Sequence, residues 1–599
     1  MMDNLQNTCR RRSELSAHTE LGVYETFEEL FGRKTSLDEL IADICKFQRN
    51  SLLWICAEIV SRVQLWARPA LRNASNYQRY LIELFDETTS SRLLAGSQST
   101  SPVRLLFHRR QIVLIAKLAA QHCQDGLDAR LNRKNLGLLF LKANDLFDYG
   151  LLPGPTGDRH GKEEYMKIVT EMLAVNEGAS PDIGSMFTRG HLMIARYAQE
   201  LSSDPDYVDV AGEFEKTTGM SLLEFEALVF AVHARFGPKF SDQVVREPHL
   251  LPLRQADFGQ TAVSPEKVDS FLRFFSASLD DIAEEVRKTD CGPNDATVFR
   301  KHPMVRDIGS RTVLQEGGGH LMIDNLFFLE KAQTGPYWIA NSTHGDKLRR
   351  FWGAVFERYV NELLSRACSG TRAKFLPDPR PADDPKLQIC DGLIATVDSV
   401  VLIEYKSSMF RADKKYSGDA AQLLEEIEKK LVRNKDRGIK KGVQQLAAAV
   451  ELLFKGSNPQ AIVPDIDWKN IKTVHLCVAT LDSIGGTIGM SALLNTHLSE
   501  NLDRSRYPSI DIPPLYCVDI ATLERATGYF TSMALSEIFD QWRRLSPDLV
   551  ASLSMVQLGQ PAQNPWLQSE WGDIFRNIVK LLFPNADPEE VIARARQRA

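Results

Sequence analysis

Three charged residues frame one apolar run. In "CDGLIATVDSVVLIEYK", residues 390–406, Asp391 stands near the start, and Glu404 and Lys406 close the run. Side chains alternate along a strand, so Glu404 and Lys406 point to one side and Tyr405 to the other. "LIATV" and "VVLI" are both β-prone. A two-residue turn at Val397–Asp398 pairs Thr396 with Ser399 and sets Asp391 opposite Glu404, with Cβ atoms about 4.5–5.5 Å apart. A slip of one residue would turn one strand's side chains to the other face. Carboxylates that close repel unless something neutralises them. Mg²⁺ takes one or two carboxylates and keeps several waters. It lowers the pKa of a bound water and stabilises charge on a phosphodiester. A lysine beside it orients that water or stabilises developing negative charge. The trio therefore predicts phosphodiester hydrolysis. The plainer reading is a structural ion-pair cluster on a strand edge, or an inactive relic of such a fold.

The elements that must position these residues lie on either side. A helix is expected at 346–367, "DKLRRFWGAVFERYVNELLSRA", then extended runs at 371–376, 387–396 and 400–406. A long charged helical region follows over about 418–455, then strands at 471–482 and 513–522, and two helices that finish the chain. This order predicts an α/β domain around a mixed sheet. Residues 1–245 read as helical. Apolar residues recur at three and four spacing in 36–67, with a break near Asn50 and Ser51. They recur again in 101–123 behind a Ser-Pro start, and at 134–149, 163–176, 185–202 and 221–236. No fixed repeat period occurs, so irregular helix packing is expected rather than a solenoid. The proline-bearing stretch 246–267 reads as a linker. A helical pair at 264–288 follows, and 301–339 mixes short extended runs with Gly and Pro turns, including a hairpin. The domain expectation is a helical part at 1–245, a connector at 246–340, the α/β domain at 341–545 and a helical extension at 546–599.

At this point the chain resembles the PD-(D/E)XK nuclease superfamily over about 345–525. That family carries a metal-binding Asp on one strand and a Glu or Asp with a Lys two residues later on the next, matched here by Asp391, Glu404 and Lys406. Many members add a Glu on the preceding helix in a pattern like G-x-x-F-E, and "GAVFERYVNELL" supplies Gly353, Phe356 and Glu357. Some carry a Gln on the helix after the lysine strand, and "KKGVQQLAAAVELL" offers Gln444 and Gln445. Cys390 stands where the signature has proline. The resemblance implies a restriction-endonuclease-like fold and a Mg²⁺-dependent endonuclease in which Mn²⁺ substitutes. Asp391, Glu404 and the Tyr405 carbonyl would bind the metal. Lys406 would position the attacking water, Glu357 would support the metal or its waters, and a glutamine would orient Lys406 or touch phosphate. It also implies nucleic acid as partner, DNA ahead of RNA. A long helical extension on such a core resembles bacterial anti-phage defence or restriction-type effectors, with the extension as sensor or protein-binding module. The competing reading is a nucleic-acid-binding or scaffold protein whose nuclease fold does not cut.

Composition bounds the rest. With 599 residues, two to four domains are expected. The net charge of −6 excludes a general polycation, so nucleic-acid contact must come from local patches. One such patch is "KKLVRNKDRGIKK" (429–441), which reads equally as a solvated helix. The nine cysteines form no CxxC pair and the twelve histidines show no zinc spacing, which points to a reducing cytoplasm. The N-terminus has no apolar signal core, and no run of about 18 apolar residues is present, so no membrane partner is expected. An oligomer stays open. His191 reads as structural, and "QEGGGHL" (315–321) as a turn that lacks the P-loop lysine.

Overall fold

The structure is a computed structural model. It describes residues 22–63, 75–97, 103–124, 133–147, 169, 182–236, 247, 250–289, 292–293, 295–308, 319–416, 419–434, 438–454, 459–556 and 564–596. It is mixed: a large helical region, and sheets concentrated in the C-terminal half. We number the elements of that half from helix α1, Asp346–Cys368.

α1 buries Phe351, Val355, Phe356, Tyr359, Val360, Leu363 and Leu364, at the spacing that places them along one side of a helix. Each apolar side chain fully withdrawn from water stabilises the fold by roughly 1.5–3 kcal/mol. Ser369 caps the helix, and Gly370, at φ 75°, turns the chain away. Strands β1 (Lys374–Pro377), β2 (Gly392–Ala395) and β3 (Ser399–Lys406) follow. Helices α2 (Ala420–Ile427) and α3 (Gly442–Phe454) lead to β4 (Thr473–Thr480). Helix α4 (Met490–Asn501), strand β5 (Tyr516–Asp519), and helices α5 (Ile520–Thr527), α6 (Leu535–Leu545) and α7 (Pro565–Leu582) come next, with a further helix at Pro588–Arg596. The sheet order is β5-β4-β3-β2-β1. β1, β2 and β3 are antiparallel neighbours, and β3–β4 and β4–β5 are parallel.

The two faces of this sheet belong to two cores. Val400 and Leu402 of β3, with Val474, Leu476 and Val478 of β4, pack with Val443, Leu446 and Val450 of α3. Val401, Ile403 and Tyr405 turn the other way and join the cluster that contains Phe356, Tyr359 and Val360 of α1. Burial on both faces explains why the strands read as continuous apolar runs rather than alternating ones.

That second core does not stop at α1. It continues into the N-terminal helices through Tyr197, Phe214 and Phe225 and on to Phe140 and Leu40. At the junction the Arg189 guanidinium, on helix Ile183–His191, donates to both Glu524 carboxylate oxygens on α5, at 2.7 and 2.6 Å. The Tyr359 hydroxyl on α1 donates to the same carboxylate at 2.5 Å. Arg350 adds a two-pronged contact to Asp206, at 2.8 and 2.7 Å, on the exposed rim. α7 packs back on helices Ile183–His191 and Leu222–Arg235, so the C-terminal extension returns to the helical part.

Several local expectations are corrected. The break in 36–67 falls at Cys45–Gln48, between helices Leu37–Ile44 and Arg49–Val63. The expected Ser-Pro start lies outside the described residues. Val103–Leu105 is a strand paired with Gly22–Tyr24, and the helix is Arg109–His122, where His108 Nδ1 accepts the Gln111 N–H at 3.2 Å. Histidine is a rare cap, so this start gave little signal. Of the expected helix at 163–176, only residue 169 is described. Strands Met304–Ile308 and Gly319–Met322 do pair antiparallel, but 325–339 is not a turn region: helix Asn325–His344 carries Pro336 inside it. The Asp324 carboxylate caps that helix and is held by buried Arg109, and Pro336 is itself buried among the packed residues of the helix. The charged region 418–455 is not one helical stretch. A π-turn at Glu428–Val432 and a short hairpin, Arg433–Asn434 with Ile439–Lys440, separate α2 from α3, and Gly438 has a φ of 63°. Among the described residues four α-helices, not two, follow β5. Among the described residues no helix is long and apolar enough to cross a membrane.

Candidate active site

The β2–β3 hairpin has the register its turn residues require. Thr396 N–H donates to the Ser399 carbonyl at 2.8 Å, and their hydroxyls are 2.7 Å apart. Gly392 pairs with Ile403, Leu393 with Leu402, Ile394 with Val401 and Ala395 with Val400. The ladder ends there, and Asp391 lies just past it, joined to β3 out of the expected register with Glu404. Its N–H donates to the Ile403 carbonyl at 3.1 Å, and its Oδ2 accepts the Tyr405 N–H at 2.6 Å.

Lys406 gathers the oxygens at this sheet end. Its Nζ donates to Glu404 Oε2 at 2.7 Å and to the Tyr405 carbonyl at 3.1 Å, and lies 3.9 Å from Asp391 Oδ2. Glu404 is 2% exposed. Burial raises its carboxyl to about 7 despite the Lys406 ammonium, and the Asp391 charge adds to the rise. Glu357, one turn beyond Gly353 on α1, is also raised to about 7, by burial first and then by Asp391 and Asp378. A cation would favour the charged form of both groups.

The two glutamines separate. Gln444 donates to Asn501 Oδ1 at 2.9 Å, on α4. Gln445 has a buried Oε1 without a hydrogen-bond donor, on the helix that packs against the Glu404 face. His191 is held by Glu226 at 2.9 Å. In the basic segment, Lys430 is engaged by Glu426 and the Met409 carbonyl, and Arg433 and Lys440 are exposed. Residues 435–437 lie outside the described residues.

Other contributors carry no local motif. Gln388 Nε2 donates to Asp391 Oδ1 at 3.1 Å. The Tyr405 hydroxyl, on the face that packs on α1, donates to Asn361 Oδ1 at 3.2 Å, one helical turn after Glu357. The loop after Lys406 is tied down by Asp482, which accepts the Phe410 N–H at 2.9 Å and is paired with buried Lys415 at 2.6 Å. Gly392 carries no local motif, and a Cβ there would run into the Tyr405 hydroxyl. Gly392→Ala is therefore expected to displace the Tyr405 ring from Asn361 and, through the shift of β3 that follows, weaken Mn²⁺ binding by up to about tenfold, the scale for lost ligand support. Gly392→Ala with Tyr405→Phe should recover part of that binding in a metal titration.

Among the described residues, no three Asp, Glu, His or Cys side chains form a ready cation cage. Two carboxylates and one backbone carbonyl, already drawn together by an ammonium, are a hard-oxygen donor set that fits Mg²⁺, which keeps much of its own water. Comparison with protein-family models, with curated proteins and with solved structures finds no match.

Proposed function

We propose that this chain is a Mg²⁺-dependent nuclease of the PD-(D/E)XK type, with DNA as its substrate and a restriction-endonuclease-like core built on β1–β5. The supporting observation is the meeting of Asp391, Glu404, the Tyr405 carbonyl and Lys406 within 3.9 Å of one ammonium nitrogen. Asp391, Glu404 and that carbonyl would hold the ion, which when bound supplies a water of lowered pKa and charge stabilisation at the phosphate. Lys406, beside these oxygens, would hold a water or the developing negative charge. Glu357, close enough to feel Asp391, supports the ion's waters. Gln445 is the better placed glutamine for Lys406 or phosphate, because Gln444 is engaged elsewhere. The helical part acts as a sensor or partner-binding module in bacterial defence, in the cytoplasm. Its continuous core with α1 supports action on the Glu357 helix rather than on a loosely tethered domain.

A second reading keeps one observation. Lys406 already satisfies Glu404, as it would in a nucleic-acid-binding protein that does not cut. The two readings part on incubation of full-length protein with DNA. Cleavage with Mg²⁺ or Mn²⁺ that stops with chelator supports the nuclease; DNA bound but intact under every metal tried supports the binder.

A further inference from the structure

Asp391 is held by its backbone as well as by its carboxylate. β1 and β2 pair Pro377 with Gly392, and the ladder runs one step on: the Asp378 N–H donates to the Asp391 carbonyl at 3.0 Å. There the chain must leave the sheet to begin the loop that returns at Ile389, whose N–H donates to the Pro379 carbonyl at 3.0 Å. Asp378 makes the exit with a φ of 45°, one of three non-glycine residues at positive φ among those described. Aspartate tolerates this left-handed region better than most residues, and glycine and asparagine tolerate it as well or better. Arg380 secures the bend. Its Nε and Nη2 donate to Asp378 Oδ2 at 2.8 and 2.6 Å, and its Nη1 to the Pro385 carbonyl at 2.8 Å.

We propose that Asp378 is a positioning residue for Asp391: its left-handed backbone, clamped by Arg380, aims the N–H that fixes the Asp391 main chain and so the direction of the Asp391 carboxylate. This rests on the reading of Asp391 as a metal ligand. Residues that orient a ligand without touching the metal typically change metal affinity by 10–100-fold when lost. The conformation, not the carboxylate, is the essential property, so the proposal separates substitutions by backbone tolerance rather than by charge.

The test is titration of full-length protein with Mn²⁺, with free Mn²⁺ read by electron paramagnetic resonance and the melting temperature measured without metal. Asp378→Gly and Asp378→Asn should bind Mn²⁺ nearly as the wild type does, and Asp378→Ala about tenfold more weakly. Equal weakening by all three variants would overturn the proposal in favour of a carboxylate role. A lower melting temperature for Asp378→Ala with unchanged Mn²⁺ affinity would overturn it in favour of simple stability. If Asp378→Ala does not fold, Asp378→Ser, which also disfavours the left-handed region, gives the same readout: weaker binding than Asp378→Gly supports the proposal and equal binding overturns it. Mn²⁺ binding that Asp391→Ala leaves untouched removes the metal-site reading itself, and this inference with it. Binding lost in Asp391→Ala but equal across the Asp378 variants removes the inference alone.

Discussion

Lys406→Ala is expected to lose DNA cleavage by on the order of 10³-fold and, because buried Glu404 loses its counter-charge, some stability, while the folded protein binds Mn²⁺ at least as tightly as the wild type. The two halves of this result come from one geometry. Lys406 Nζ lies among the oxygens that would hold the ion, 2.7 Å from Glu404 and 3.9 Å from Asp391. Removing the ammonium leaves two adjacent carboxylates without their counter-charge, which strengthens their demand for a cation. The same change removes the group that holds the water or the developing charge. A structural ion-pair cluster predicts the lower stability alone, with no cleavage to lose and no tighter Mn²⁺ binding. Lys406→Arg should not rescue, because a planar guanidinium does not replace a compact ammonium among three oxygens. Paired measurements of plasmid cleavage and Mn²⁺ affinity on both variants check this. A Lys406→Ala protein that cuts at wild-type rate excludes the assigned role.

The second large effect is on stability. Arg189→Met should destabilise the chain by about 3–5 kcal/mol, because it strands the Glu524 carboxylate inside the molecule. Glu524 is 1% exposed and takes two hydrogen bonds from Arg189 and one from Tyr359. Arg189→Met with Glu524→Gln should recover much of the loss, since the buried charge is then gone. The single variant also has a pH signature. Burial already pushes the Glu524 carboxyl up, and loss of the guanidinium pushes it further. The folded variant then binds a proton that the unfolded chain binds only near the ordinary glutamate value. Its stability therefore rises as pH falls through the raised folded-state pKa, and levels off below about 4.3. Urea unfolding of wild type and variant between neutral and mildly acid pH should show the gap narrowing; a gap independent of pH would mean that the stranded charge is not its source. Because the helical part and α1 share one core, the fragment 340–599 should expose the outer side of α1, including Tyr359, and lose solubility before it reports on activity.

Sequence and structure agree most closely where short-range rules suffice. The β2–β3 hairpin is legible because two β-prone runs flank Val397–Asp398 and leave one tight-turn register, and the period of two then places Asp391 beside Glu404 with no knowledge of the rest of the chain. α1 is legible from its apolar spacing alone. The failures share a physical cause. Asp378 has no local signature, since its unusual backbone is imposed by the neighbouring strand and by Arg380. The Arg189–Glu524 pair spans most of the chain, and no window of sequence encodes it. The hairpin between α2 and α3 lies in a run dense in charges, where Gly438, at a left-handed φ, gives little local warning. Pro336 reads as a helix stop, and the tertiary packing around helix Asn325–His344 overrides it.

The most direct measurement is cleavage of DNA by purified full-length protein beside its Asp391→Ala variant, with Mg²⁺, with Mn²⁺ and with chelator. A metal-dependent nuclease centred on Asp391, Glu404 and Lys406 cuts with either metal, stops with chelator, and is silent in the variant even though that variant melts as a folded protein. Equal cutting by wild type and Asp391→Ala would contradict this site.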